Sequence, residues 1–152
     1  MKQQRICIIG DGLAGLTTAV ILSKENIRID IYGSKNEKKQ NLDKRTTAVS
    51  ESNFQYIKNN LNLGNQSLFW PCKKINLFFE DKEKIINFLN LNEKKKNNMF
   101  IFQNKNLKNK LNKIISLKKN IKLIKKNIKD INSENSFIVL DTKKVFYDLV
   151  IL

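Results

Sequence analysis

The sequence predicts an α/β fold built on a parallel sheet, and three observations carry that prediction. The apolar run Ile6-Cys7-Ile8-Ile9 reads as a buried strand, Gly10-Asp11-Gly12-Leu13-Ala14-Gly15 follows it directly, and an Ala/Leu/Val/Ile stretch then leads to a second strand pattern, Ile27-Arg28-Ile29-Asp30-Ile31-Tyr32. Strand, turn, helix and strand within roughly 30 residues make a βαβ unit, whose crossover helix lets the two strands run parallel.

Each glycine of this GxGxxG spacing has its own role. Gly10 makes the tight turn out of the strand, Gly12 lets a pyrophosphate approach backbone that carries no Cβ, and Gly15 lets the helix pack closely on the sheet. The helix opening at Leu13 aims unpaired N–H groups and the positive end of its dipole at the same place. Gly10, Asp11, Gly12, Leu13, Ala14 and Gly15 are therefore the first candidate cofactor-binding residues of a Rossmann-like domain. A glycine-rich turn without a ligand is the plainer alternative.

Composition bounds the rest. The 152 residues give room for one domain with a real core, or for a fraction of a larger one. The net charge of +15 raises nucleic acid or an anionic membrane surface as partners. The lysines are spread along the chain among many asparagines, with few arginines and no RNA-binding aromatic motif, so a solvated basic surface is the expectation, with no nucleic acid bound. Cys7 lies inside the first strand and Cys72 follows Pro71 without CxxC spacing, which points to thiols of a reducing compartment. The absence of histidine excludes His-based triads and His metal ligands within this chain, and no metal site is expected. No apolar run approaches the ~18 residues of a spanning helix.

The remaining elements follow in order. Dinucleotide folds usually place a carboxylate after the second strand, against the ribose hydroxyls, but Gly33 stands there; Asp30 and Glu37 read as structural or solvent-facing. Residues 34–42 read as a loop. Asp43-Lys44-Arg45-Thr46-Thr47-Ala48-Val49-Ser50 then re-enters a helix marked by Phe54, Ile57 and Leu61, which stops at Leu63-Gly64. From the start of that helix Arg45 could reach a phosphate or a flavin ribityl chain; an ion pair with Asp43 is the alternative. After Phe69-Trp70-Pro71-Cys72, the runs Ile75–Phe79 and Ile85–Leu89, separated by a charged turn, read as a hairpin. Its aromatic residues Phe78, Phe79 and Phe88, with Trp70, are expected in the core rather than in a pocket. Met99–Lys105 leads into a helix with Leu107, Leu111, Ile114 and Ile115 at helical spacing. Ile121–Ile124 reads as a third parallel strand, and Ile128–Ile131, Phe137–Leu140 and Val145-Phe146 as a meander. Tyr147–Leu152 begins a further buried strand.

Arg5 to Tyr32, DKRTTAVS and a helix ending in a Leu-Gly turn together resemble the N-terminal part of the FAD-dependent aromatic hydroxylases, the para-hydroxybenzoate hydroxylase-like flavoprotein monooxygenases. Within them the sequence is most similar to the ubiquinone-biosynthesis hydroxylases. The resemblance implies that Gly10, Gly12 and Gly15 hold the FAD pyrophosphate, that Arg45 contacts the cofactor and that Gln103, followed by Lys105 where the family usually has arginine, bonds its ribose. It places the family's ribose-binding glutamate at Gly33. It implies NAD(P)H as reductant, hydroxylation of a small aromatic, polyprenylated ring, and a cytoplasmic protein peripheral to the inner face of the membrane. No side chain stands out as a catalytic acid or base. By the same resemblance, residues 1–70 and 99–152 form the Rossmann-like FAD-binding part, and 71–98 start the antiparallel sheet of a substrate domain. The family's later glycine/aspartate segments are not in the sequence. The chain is thus expected to be an incomplete FAD-binding portion, inactive alone: a truncated or split product, or one half of a protein completed by another, complementing chain. The alternatives are an NAD(P)-dependent or other FAD-dependent oxidoreductase, since the glycine spacing does not separate the two cofactors, and a basic module for nucleic acid or a membrane surface built on Lys118–Lys129.

Overall fold

In a computed structural model, which describes residues 3–34, 43–63, 68–81, 84–92, 97–132 and 134–152, the elements run in order as follows. β1 (Gln4–Ile9), α1 (Leu13–Leu22) and β2 (Ile27–Gly33) form the βαβ unit, and β3 (Thr46–Ser50) leads into α2 (Glu51–Leu61). Then come β4 (Trp70–Cys72), β5 (Lys74–Asp81), β6 (Lys84–Asn92) and β7 (Met99–Gln103), followed by α3 (Asn104–Ser116). β8 (Ile121–Lys125), β9 (Asp130–Asn132), β10 (Phe137–Leu140), β11 (Lys143–Phe146) and β12 (Leu149–Ile151) complete the chain. These elements gather into two units, Met1–Asp43 with Lys105–Leu152 and, separately, Lys44–Asn104.

The first unit carries a four-stranded sheet in the order β12-β1-β2-β8, with every neighbouring pair parallel. Alternation along β1 and β2 divides this sheet into two faces. Gly15 of α1 lies against Ile8, so Ile6, Ile8, Ile29 and Ile31 face the helix side, where Leu16, Ala19 and Val20 are buried. The other face presents Cys7 and Tyr32, and the antiparallel meander β11-β10-β9 covers it with Ile138 in a cluster that includes Tyr147. Glu37 and the rest of 35–42, the expected loop, lie outside the described residues.

Asp30, 1% exposed, sits on the meander face. Its Oδ2 accepts bonds from Arg5 Nη2, from Arg5 Nε at 3.1 Å and from the Tyr147 hydroxyl at 3.0 Å. Because the single Tyr147 proton is directed to Asp30, the Tyr32 hydroxyl donates to the Tyr147 oxygen, 2.9 Å away. A buried carboxylate is tolerated only when paired and hydrogen-bonded. This one links β1, β2 and the segment entering β12. Asp148 fixes the same junction: its Oδ2 accepts from Arg5 N at 2.6 Å and its own N donates to Arg5 O at 2.8 Å.

In the second unit β3-β7-β4 form an antiparallel sheet on which α2 lays Phe54, stacked on Phe100 at 3.8 Å between centroids. Phe69 meets Phe54 and Phe102 edge-on. Two expectations change here. Thr46–Ser50 is a strand, not the run-in of a helix, because this stretch, with its β-branched Thr46, Thr47 and Val49, pairs with Met99–Gln103. The helix starts only at Glu51, where the Ser50 hydroxyl accepts from Asn53 N, and it ends at a left-handed Asn62, φ 46°, instead of at Leu63-Gly64. Gly64 lies outside the described residues. Asn tolerates this conformation because its short polar side chain can bond locally.

The β5–β6 hairpin forms as expected, with a bulge between Leu77 and Phe78, but its residues are not core. Phe78 and Phe79 are both 58% exposed, Phe88 62% and Trp70 47%. Among the described residues β5 and β6 pair only with each other, so the two-stranded ribbon leaves Phe78, Phe79 and Phe88 open, whereas Trp70 lies on β4 at the edge of the β3-β7-β4 sheet.

Burial pushes the Cys7 thiol up to about 12, and the Asp30 charge adds to the shift while Arg5 opposes it. Burial also raises the Tyr32 and Tyr147 hydroxyls. A group whose folded pKa is raised stabilises the fold fully below its unfolded pKa and loses that contribution as pH rises toward the folded value. For Cys7 the window opens near pH 9 and extends to about 12, with a slope of about 1.4 kcal/mol per pH unit. Urea unfolding between pH 8 and 11 is expected to show stability falling from about pH 9 in the native chain, and from about pH 10, where tyrosines titrate, in Cys7→Ala.

Candidate functional site

Three local facts shape the turn between β1 and α1. Gly10 has φ +116°, a conformation that other residues rarely adopt, and its N–H donates to Tyr32 O at 2.8 Å, tying the turn to β2. A Cβ on Gly15 would lie 2.1 Å from the Gly10 carbonyl oxygen, so the helix backbone rests on the turn itself. A Cβ on Gly12 would meet nothing within 4 Å, leaving open space beside the helix start. Gly12 caps α1 through its carbonyl, which accepts from Leu16 N at 3.0 Å, with no side-chain cap and no acidic residue in the first turn. The N–H groups of Leu13, Ala14 and Gly15 have no intrahelical acceptor by the geometry of a helix start. Directed to one open point at the positive end of the helix, they suit an anion. A pyrophosphate group fits this cradle.

Asp11 turns away from that point. Its carboxylate is paired through Oδ2 with Lys125 Nζ at 2.7 Å and Lys108 Nζ at 3.5 Å. It also fills the space beside Gly33: a Cβ there would lie 2.6 Å from Asp11 Cγ. Lys125 ends β8, one residue past the Ile121–Ile124 run read as the third parallel strand, and the pattern of that run gave no sign of this role. Next to the turn a cavity of about 560 Å³ opens at the carboxyl ends of β1, β2 and β8, lined by Ile9, Gly10, Tyr32, Gly33, Lys126 and Asp130 among others. Crevices at the carboxyl ends of parallel strands are the usual ligand sites of open α/β sheets.

Arg45 and Gln103 belong to the second unit, and the structure brings them together there. Arg45 immediately precedes β3, its carbonyl accepts from Asn104 N at 3.0 Å, and the next residue, Thr46, pairs with Gln103. Thr47 Oγ1 donates to Asn104 Oδ1 at 2.6 Å, which braces the step from β7 into α3. Arg45 and Gln103 are exposed at one end of the β3–β7 pair, Arg45 at the start of a strand rather than of a helix. Lys105 lies in the first turn of α3. Among the described residues no cluster of His, Cys, Asp and Glu could hold a metal ion, and no helix is long and apolar enough to cross a membrane.

No family model matches the chain, and no curated protein matches it. Solved structures do match its fold. PqsL, a probable FAD-dependent monooxygenase from Pseudomonas aeruginosa, superposes with a TM-score of 0.70 at 10% identity over 98% of this chain and 42% of its own. For 2-methyl-3-hydroxypyridine-5-carboxylic acid oxygenase the values are 0.68, 16%, 98% and 39%. For p-nitrophenol 4-monooxygenase PnpA from Pseudomonas putida DLL-E4 they are 0.63, 12%, 95% and 38%. The chain therefore has a fold found in FAD-dependent aromatic monooxygenases and spans about two fifths of their length.

The two glycines of the turn separate by experiment. Gly15→Ala is expected to lower stability in urea by about 1–3 kcal/mol or more, because its Cβ meets backbone that cannot step aside. Gly12→Ala, placed in open space, is expected to stay within about 0.5 kcal/mol of the native chain.

Proposed function

We propose that this chain is the FAD-binding portion of a flavin-dependent monooxygenase that hydroxylates an aromatic ring, with NAD(P)H as the reductant of the complete enzyme. The observation that carries the reading is the acid-free start of α1 beside Gly12, where open space and converging N–H groups fit a dinucleotide pyrophosphate. The glycine spacing alone is shared with nicotinamide enzymes. The likeness of nearly the whole chain to the fold of FAD-dependent aromatic monooxygenases is what favours FAD. Bound FAD would supply the redox and oxygen chemistry, and the protein supplies binding, orientation and exclusion of water.

In this reading Gly10, Gly12, Leu13, Ala14 and Gly15, with the backbone of Asp11, hold the pyrophosphate end of the cofactor, and by the sequence resemblance Arg45 and Gln103 are cofactor contacts as well. Arg45 brings a planar charged fork and Gln103 an amide that can both donate and accept. Residues 1–70 with 99–152 make up the FAD-binding part and 71–98 begin the substrate-domain sheet. The substrate ring belongs to the class of ubiquinone precursors, a choice supported by the sequence resemblance through DKRTTAVS. A polyprenyl tail on such a ring would bring the protein, otherwise cytoplasmic, to the inner membrane face.

Titration of FAD into the purified chain, followed by quenching of flavin fluorescence, tests the proposal. Saturable binding is expected, and Gly12→Val is expected to abolish it while the melting temperature stays within a few degrees. Binding of NADH with none of FAD would overturn it. Residues 1–152 by themselves are expected to form no hydroxylated product from a phenolic quinone precursor and NAD(P)H. A ring and cofactor held at one end only do not reach the near-attack geometry that hydroxylation requires. Product analysis by mass spectrometry checks this.

A further inference from the structure

Dinucleotide folds of this type place a carboxylate at the end of the second strand, where it binds the ribose hydroxyls. At that place the chain has Gly33, and its conformation does not require glycine, since Gly10 is the sole glycine with positive φ among the described residues. What excludes a side chain at 33 is Asp11. An added Cβ would lie 2.6 Å from Asp11 Cγ, 2.8 Å from its Oδ2 and 2.9 Å from its Cβ. The carboxylate of the glycine turn thus stands in the space that a side chain from the end of β2 would enter.

Asp11 is held there firmly. Lys125 at the end of β8 and Lys108 on α3 both pair with Oδ2, at 2.7 and 3.5 Å, while 12% of the side chain remains open to solvent. Gly10, the neighbour of Asp11 in sequence, and Gly33, its neighbour in space, line the cavity at the carboxyl ends of β1 and β2. A carboxylate has about four lone-pair positions, and hydroxyl protons are among the donors it accepts.

We infer that the ribose-binding acid of this chain has moved from the end of β2 to the glycine turn. Asp11 accepts the hydroxyls of an adenosine ribose, and Gly33 is glycine to make room for it. Lys125 and Lys108 are positioning residues that hold the relocated carboxylate at the strand end. The ribose role rests on the nucleotide-binding reading above, whereas the exchange of space between residues 11 and 33 does not.

Two measurements test the two parts separately. Without ligand, Gly33→Ala is expected to lower the melting temperature of the native chain by several degrees and to have almost no effect when introduced into Asp11→Gly. Equal effects in both backgrounds would overturn the relocation. With ligand, calorimetric titrations use ADP and 2′,3′-dideoxy-ADP as probes. The native chain is expected to prefer ADP by about tenfold or more, the worth of a hydrogen bond to a charged group. Asp11→Asn, titrated well below its own melting temperature, is expected to reduce that preference to about twofold or less. A preference that survives in Asp11→Asn, or its absence in the native chain, would overturn the ribose assignment and leave nucleotide binding standing. If neither ADP nor FAD binds at all, the nucleotide reading fails and takes the ribose role with it, while the melting data still decide whether Asp11 and Gly33 exchanged space.

Discussion

The backbone of α1 at Gly15 rests on the carbonyl of Gly10, and no atom of a side chain fits between them. That approach fixes where the helix starts relative to the end of β1, and so fixes where its unpaired N–H groups point. The turn in between is held from a second direction by the bond of Gly10 N to Tyr32 O. With helix, turn and two strands locked together, the position of an anion at the helix start is determined before any anion arrives. This is preorganisation in its simplest form, a binding geometry that costs no rearrangement at the moment of binding.

The sheet behind the turn is covered by chemically different layers. The α1 side packs apolar residues, with Leu16, Ala19, Ile29 and Ile31 all essentially inaccessible. The meander side hides a charge. Asp30 Oδ2 gathers Arg5 and Tyr147, yet Oδ1 has no hydrogen-bond partner among the described residues. Removing one partner of such a group is more costly than never having built it, since the remaining carboxylate would be buried uncompensated. The network therefore couples the sheet to the segment entering β12, and the Asp30 charge adds to the burial that raises the pKa of the Cys7 thiol and of the tyrosine hydroxyls on the same face.

The βαβ start was readable because the apolar period changes from strand to helix and back, with glycine at the change. The hairpin, β8, the meander and the amphipathic α3 announced themselves by pattern in the same way. What escaped reading depended on partners far along the chain. Thr46–Ser50 becomes a strand because Met99–Gln103 lies beside it, some fifty positions away. Lys125 joins the glycine turn through Asp11, 114 positions earlier, and nothing in the local composition of β8 marks it. The helix stop at Asn62 was masked by the stronger glycine signal two residues later. Phe78, Phe79 and Phe88 looked like core because aromatic strands usually are, and only the open faces of the two-stranded ribbon reveal otherwise.

That ribbon has a consequence for the chain in bulk solution. INLFF in β5 and IINFL in β6 each combine strong strand-forming residues with no charge and no proline, the composition that stacks into cross-β assemblies. Lys73, Lys74 and Lys84 sit at the ends of these stretches, and the +15 charge of the chain adds long-range repulsion between copies. That repulsion reaches about 30 Å at 0.01 M salt and only about 8 Å at physiological ionic strength. Dilute buffer thus keeps the ribbons of separate molecules apart by charge, whereas at cellular salt that task falls to the asparagines along the strands and the lysines at their starts.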